Sequence, residues 1–133
     1  MTIVVDASVV VAALLDGGPH GEACASTLAS GALFAPHLLP FEVANVVRRT
    51  VARSAVDETA GALALADLER LAVDLVPFGA VAGRVWELRD NLTAYDAAYV
   101  AVAEMLDAPL FTLDERLVRS TGPVCDIAVP SAN

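Results

Sequence analysis

Short apolar runs recur along this chain, each followed by a stretch of helical character, and that alternation limits the fold more than any other feature. Thr2 to Val5 is β-branched and apolar, a short buried strand, and Asp6 then precedes Ala7 to Leu15, a helical run that stops at Asp16-Gly17-Gly18-Pro19. A second helix is expected from about His20 to Ala29, and Leu33 to Ala35 forms a second strand after Ser30-Gly31. Pro36-His37-Leu38-Leu39-Pro40 leads into a helix carrying Glu42, Asn45 and three arginines, with Pro40 tolerated in its first turn. Asp57-Glu58-Thr59 opens another helix, Asp74-Leu75-Val76-Pro77 offers a third strand, and Gly79 to Arg89 reads as a helix. Thr93 to Leu106 has the clearest helical pattern, because Thr93-x-x-Asp96 has the form of a capping box and small or apolar residues recur behind it at helical spacing. Leu110-Phe111-Thr112 is a fourth strand, Asp114 to Ser120 a short helix, and Val124 to Val129 a last extended segment.

Strands alternating with helices predict an α/β fold, with a short, mostly parallel central sheet flanked by helices on both faces. No repeat or linker interrupts the pattern, so residues 1–133 are expected to form a single domain. Ligands of such sheets collect beyond the carboxyl ends of the strands. Asp6 and Asp114 lie just past strands, while Glu42 and Asp96 fall in the first turns of helices. Each acid also has a plain structural role open to it. Asp6 and Asp114 suit helix caps, Asp96 suits the reciprocal partner of Thr93, and Glu42 suits the dipole of its helix. The conjunction makes convergence plausible, with one condition read from the sequence: helices antiparallel to the strands are expected to point their first turns elsewhere.

Four converging carboxylates need a counter-charge. Two of them about 5 Å apart repel by about 3 kcal/mol at an effective dielectric near 20. A divalent cation removes that conflict, and oxygen-only ligands select Mg²⁺ or Mn²⁺ over zinc. His20 and His37 lack ligand spacing and read as surface or packing residues.

Charge and hydropathy bear on partners. The formal net charge of −9 opposes a nucleic-acid partner, yet every basic residue is Arg, and Arg48, Arg49 and Arg53 share one helical stretch. They suit either phosphate contact or a solvated helix face. A hydrophobic fraction of 56% and mean hydropathy of +0.60 predict surface covered by a partner chain. The longest apolar stretch, Val9 to Leu15, is too short to cross a bilayer, and the start of the chain has no signal-peptide pattern, so a cytoplasmic location is expected. Cys24 and Cys125 are expected to be reduced and packed.

The order Val4-Val5-Asp6-Ala7-Ser8, Pro40-Phe41-Glu42-Val43-Ala44-Asn45, Leu92-Thr93-Ala94-Tyr95-Asp96-Ala97-Ala98-Tyr99 and Phe111-Thr112-Leu113-Asp114 resembles the PIN-domain ribonucleases, specifically the VapC-type toxins of bacterial toxin–antitoxin pairs. The resemblance runs nearly end to end. It implies a PIN-like fold in which Asp6, Glu42, Asp96 and Asp114 are the catalytic acids binding Mg²⁺ or Mn²⁺. Ser8, Asn45 and Thr112 would support the site through hydrogen bonds, and Glu115, next to Asp114, is a rival for metal contact. It further implies hydrolysis of single-stranded RNA to a 5′-phosphate and a 3′-hydroxyl, a homodimer, and a cognate VapB-like antitoxin. Other readings fit less well. A receiver-like phosphate-binding domain uses a Lys, which this chain lacks; a P-loop motif is missing; and a non-catalytic PIN-like binding module has no need of all four acids.

Overall fold

In the computed structural model, which describes residues 1–131, β1 (Thr2–Val5) is the middle strand of a five-stranded sheet. The others are β2 (Ala32–Pro36), β3 (Val73–Val76), β4 (Leu110–Phe111) and β5 (Ile127–Ala128), in the order β3-β2-β1-β4-β5. Every neighbouring pair is parallel. Successive strand residues face opposite sides, and Ile3, Val4 and Val5 are all fully buried, so both faces of β1 are covered. The expected extended segment from Val124 to Val129 contributes only Ile127 and Ala128 to the sheet. β4 has two residues, and these give β5 just two partners.

Among the described residues seven helices accompany the sheet: α1 (Ala7–Leu15), α2 (Pro19–Leu28), α3 (Leu39–Ala52), α4 (Glu58–Arg70), α5 (Phe78–Glu87), α6 (Ala94–Leu106) and the single turn α7 (Glu115–Val118). Residue Gly21 lets α2 fold back on the end of α1. A Cβ there would lie 1.6 Å from the carbonyl oxygen of Asp16. Helix α6 is buried without a break from Ala97 to Ala103 and packs on β1, β2, β4 and α5. Its run of alanines suits a helix surrounded by protein.

Helix direction reverses one expectation. All strands are parallel, so a helix returning to the start of the next strand begins at the end where strands finish. Antiparallel helices therefore bring their first turns to the carboxyl end of the sheet. α3 starts three residues after β2 ends, and α6 finishes shortly before β4 begins, which puts Glu42 and Asp96 at the same end as Asp6 and Asp114.

Far along α6 from Asp96, Glu104 joins three segments. Its carboxylate accepts hydrogen bonds from Arg84 Nε at 2.6 Å, Arg84 Nη2 at 3.2 Å and the Val124 N–H at 2.8 Å, while Arg84 Nη2 also donates to the carbonyl of Gly122. Burial alone would raise the Glu104 carboxyl, but Arg84 and the Val124 N–H outweigh it and hold it below its ordinary 4.5. The stabilisation is therefore fully present above pH 4.5 and is lost as pH falls through the lower folded-state value. Glu104→Gln is expected to destabilise the protein at neutral pH by about 1–2 kcal/mol, at the lower end for a partly solvated charged hydrogen bond. In urea melts the difference from wild type should shrink toward acid pH; a constant difference would contradict the ion-pair account.

Candidate metal centre

Asp6 is the most tightly held of the four acids. Immediately past β1 and only 9% exposed, it caps α1, its Oδ1 accepting from the N–H groups of Ser8 at 3.0 Å and Val9 at 3.4 Å. The Ser8 hydroxyl donates to the same oxygen, and Thr112 Oγ1 donates to Oδ2 at 2.5 Å. Both hydroxyls also accept from the β4 side, Ser8 from Leu113 N–H at 2.9 Å and Thr112 from Asp114 N–H at 3.0 Å. Ser8 and Thr112 thus lace the ends of β1 and β4 together through one carboxylate. Burial raises the Asp6 carboxyl from its ordinary value, and these hydrogen bonds oppose the rise without cancelling it.

Glu42, half-buried on α3, accepts a hydrogen bond at Oε1 from the hydroxyl of Tyr99 at 2.5 Å. Tyr99 is a buried residue of α6, one turn beyond Asp96. Burial pushes the Glu42 carboxyl up, Tyr99 opposes, and the charges of Asp6 and Asp96 push it up further. Asp96 is raised by burial and by the charge of Asp114, with Arg116 acting against them. Thr93 Oγ1 accepts the Asp96 N–H at 3.2 Å, but among the described residues no return bond runs from the Asp96 carboxylate to Thr93. The expected capping box is half made, which leaves that carboxylate available. Asp114 caps α7 by accepting from Arg116 N–H at 2.9 Å, and the Arg116 guanidinium lies 3.4 Å away. Burial tends to raise Asp114, but Arg116 outweighs it and holds the carboxyl below its ordinary value. Asp96, Asp114 and Arg116 face a cavity of about 270 Å³.

The four acids therefore feel one another in series: Asp6 with Glu42, Glu42 with Asp96, Asp96 with Asp114. Three are under net pressure to protonate, and only Asp114 has a cation beside it. Among the described residues, no three His, Cys, Asp or Glu side chains are gathered closely enough to hold an ion as they stand. Asp114 is turned to Arg116. The fit to a metal thus lies in donor chemistry: oxygen ligands only, with uncompensated negative charge, as a hard divalent ion requires.

Other expected site residues lie apart from this series. Asn45 bonds no acid among the described residues; its Oδ1 accepts from Arg48 Nε at 3.0 Å. Arg48 and Arg49 are exposed on α3 and Arg53 at its C-cap, none in a salt bridge among the described residues. Glu115 is exposed and pairs with Arg119 at 3.7 Å. Cys24 and Cys125 are both free thiols. Sequence reasoning missed Tyr99 and Arg116. The available signals were a tyrosine three residues after Asp96, hence on the same helix face, and an arginine two residues after Asp114.

The profile of the PIN domain family matches residues 3–122. The chain is similar to VapC ribonuclease Mb0985 of Mycobacterium bovis, 42% identical over 127 residues that cover 96% of this chain and 97% of the relative. Among solved structures it is similar to PAE2754 from Pyrobaculum aerophilum, with a TM-score of 0.66 and 28% identity over 95% of this chain and 92% of that one. VapBC2 from Rickettsia felis, solved bound to a DNA fragment from its promoter, shares the fold at a TM-score of 0.68 and 13% identity, over 97% of this chain and 98% of that one.

Proposed function

This chain belongs to the PIN-domain family, among its VapC ribonucleases, and from that premise we propose that it is a metal-dependent endoribonuclease, the toxin of a toxin–antitoxin pair, cutting single-stranded RNA at the carboxyl end of its sheet. The observation that carries the site assignment is the series of mutually repelling carboxylates at that end. Asp6, Glu42 and Asp96 would hold Mg²⁺ or Mn²⁺, with Asp114 joining them once released by Arg116. When bound, such an ion offsets charge on the scissile phosphate and lowers the pKa of water.

The protein's own groups do the rest. Ser8 and Thr112 fix Asp6 in one orientation, and Tyr99 fixes Glu42 through Oε1. The other oxygen of Glu42 is left to hold the ion, directly or through water, or to accept the proton of the attacking water. No side-chain nucleophile is required. Residues 1–133 act as one PIN domain in the cytoplasm, paired with a second copy and with a VapB-like antitoxin. An antitoxin Arg or Lys placed among these acids would substitute for the cation and inhibit by competition. A non-catalytic binding module is favoured by one observation, that no three acids are gathered to ligate as they stand.

A single experiment separates these readings. Purified, antitoxin-free protein is incubated with end-labelled single-stranded RNA, and Mn²⁺ binding is measured by calorimetry. Cleavage with Mn²⁺ or Mg²⁺, its loss in EDTA and its return on adding metal back are expected. Cleavage that survives EDTA would remove the metal from the proposal, and Mn²⁺ binding without cleavage would favour the binding module.

A further inference from the structure

Two of the most exposed large side chains stand directly beside the acids. Phe41 is 79% exposed and Tyr95 is 66% exposed. Each immediately precedes a site carboxylate, Phe41 before Glu42 on the first turn of α3 and Tyr95 before Asp96 on the first turn of α6. Consecutive helix residues are separated by about a quarter turn, so an acid turned to the sheet end leaves its aromatic neighbour at the rim. The two rims meet. Phe41, Tyr95, Leu38, Asn45 and Glu42 line a single open cavity of about 310 Å³, and Glu42 belongs both to this cavity and to the acidic series.

We propose that Phe41 and Tyr95 form a stacking subsite for an unpaired nucleobase of the RNA, next to the bond that is cut. The inference rests on the ribonuclease reading and adds to it how substrate is gripped. A chain of net charge −9 has little to attract phosphates, and Arg48, the α3 arginine beside this cavity's Asn45, gives its Nε–H to the Asn45 carboxamide oxygen. Stacking on an aromatic face needs no positive charge and tolerates any base. Asn45 Oδ1 being occupied, its amide NH₂ is the donor left at the rim for an acceptor on the base edge. Continuity with Glu42 selects RNA over a protein side chain as the occupant, since a base seated here adjoins the carboxylates that would act on its phosphate.

The test uses Phe41→Ala and Tyr95→Ala, with Phe41→Trp and Tyr95→Phe as conservative counterparts. Each alanine variant should raise KM for a short single-stranded RNA about 5- to 100-fold, the loss of one base stack, while the aromatic replacements stay near wild type. Mn²⁺ affinity by calorimetry should not change, which distinguishes a lost subsite from a distorted acid cluster. In parallel, an oligoribonucleotide carrying 2-aminopurine is titrated with full-length Asp96→Asn protein, with and without the alanine changes. Fluorescence should be quenched on binding and remain unquenched when either aromatic is removed. Unchanged KM together with unchanged quenching would overturn the subsite, and so would alanine variants that lose only the grip of a protein partner. Quenching that depends on the aromatics in a protein that cuts no RNA would uphold the subsite and refute the ribonuclease reading.

Discussion

Asp96→Asn is expected to abolish RNA cleavage and, in metal-free protein at neutral pH, to raise the melting temperature. The two effects share one cause. The Asp96 carboxyl is pushed up first by burial and then by the charge of Asp114, so its ionised form is less favourable in the folded chain than in the unfolded one. A carboxyl raised in this way costs stability above its folded-state value, and the cost disappears below its ordinary 3.8. An amide of the same shape removes that cost, and the Thr93 cap is untouched because it uses the backbone N–H of residue 96. Cleavage should fall by at least about 10²–10³-fold, the scale for losing one preorganised electrostatic contact at a reacting centre. Differential scanning fluorimetry across pH 4 to 8 reads the stability half. The gain should be present at neutral pH and fade as pH falls toward 3.8, and saturating Mn²⁺ should reverse the order by stabilising wild type more. A variant that loses activity and melts lower under all conditions would mean that Asp96 serves the fold and not the chemistry.

Thr112→Val should damage both the structure and the site. Thr112 is fully buried, and its hydroxyl donates to Asp6 Oδ2 while accepting from the N–H of Asp114. Valine keeps the shape and strands both partners. Leaving a buried acceptor unsatisfied costs about 1–3 kcal/mol, and freeing the orientation of the carboxylate proposed to bind metal should weaken Mn²⁺ affinity about 10- to 100-fold. Thr112→Ser restores the hydroxyl and should recover most of the affinity. Calorimetric titration of the three proteins with Mn²⁺ decides the matter: equal affinity in the valine variant would show that Asp6 needs no help to face an ion.

The local part of this architecture was legible because its signals are local. Thr93 and Asp57 cap α6 and α4, and Asp6 and Asp114 cap α1 and α7 while also joining the acidic series. Cap and site roles look like rivals in the sequence, yet a carboxylate that caps a helix also stands in the acidic series. Contacts between distant residues were not legible. Tyr99 meets Glu42 across 57 positions, a match set by how far α6 slides against the sheet rather than by any motif. Asn45 is harder to place from sequence, since Arg48, three residues on in the same helix, takes its carboxamide oxygen. Helix direction is set by the all-parallel sheet, whose antiparallel returns begin at the carboxyl end, and no local pattern in the sequence states it.

The bond between Asp6 and Thr112 spans 106 positions, nearly the whole chain. On the ribosome, β1 is made well before β4, its neighbour on one side. Until β4 has been made, Asp6 lacks the Thr112 hydroxyl and stands apart from Asp114, so the acidic end cannot assemble on its first strand alone.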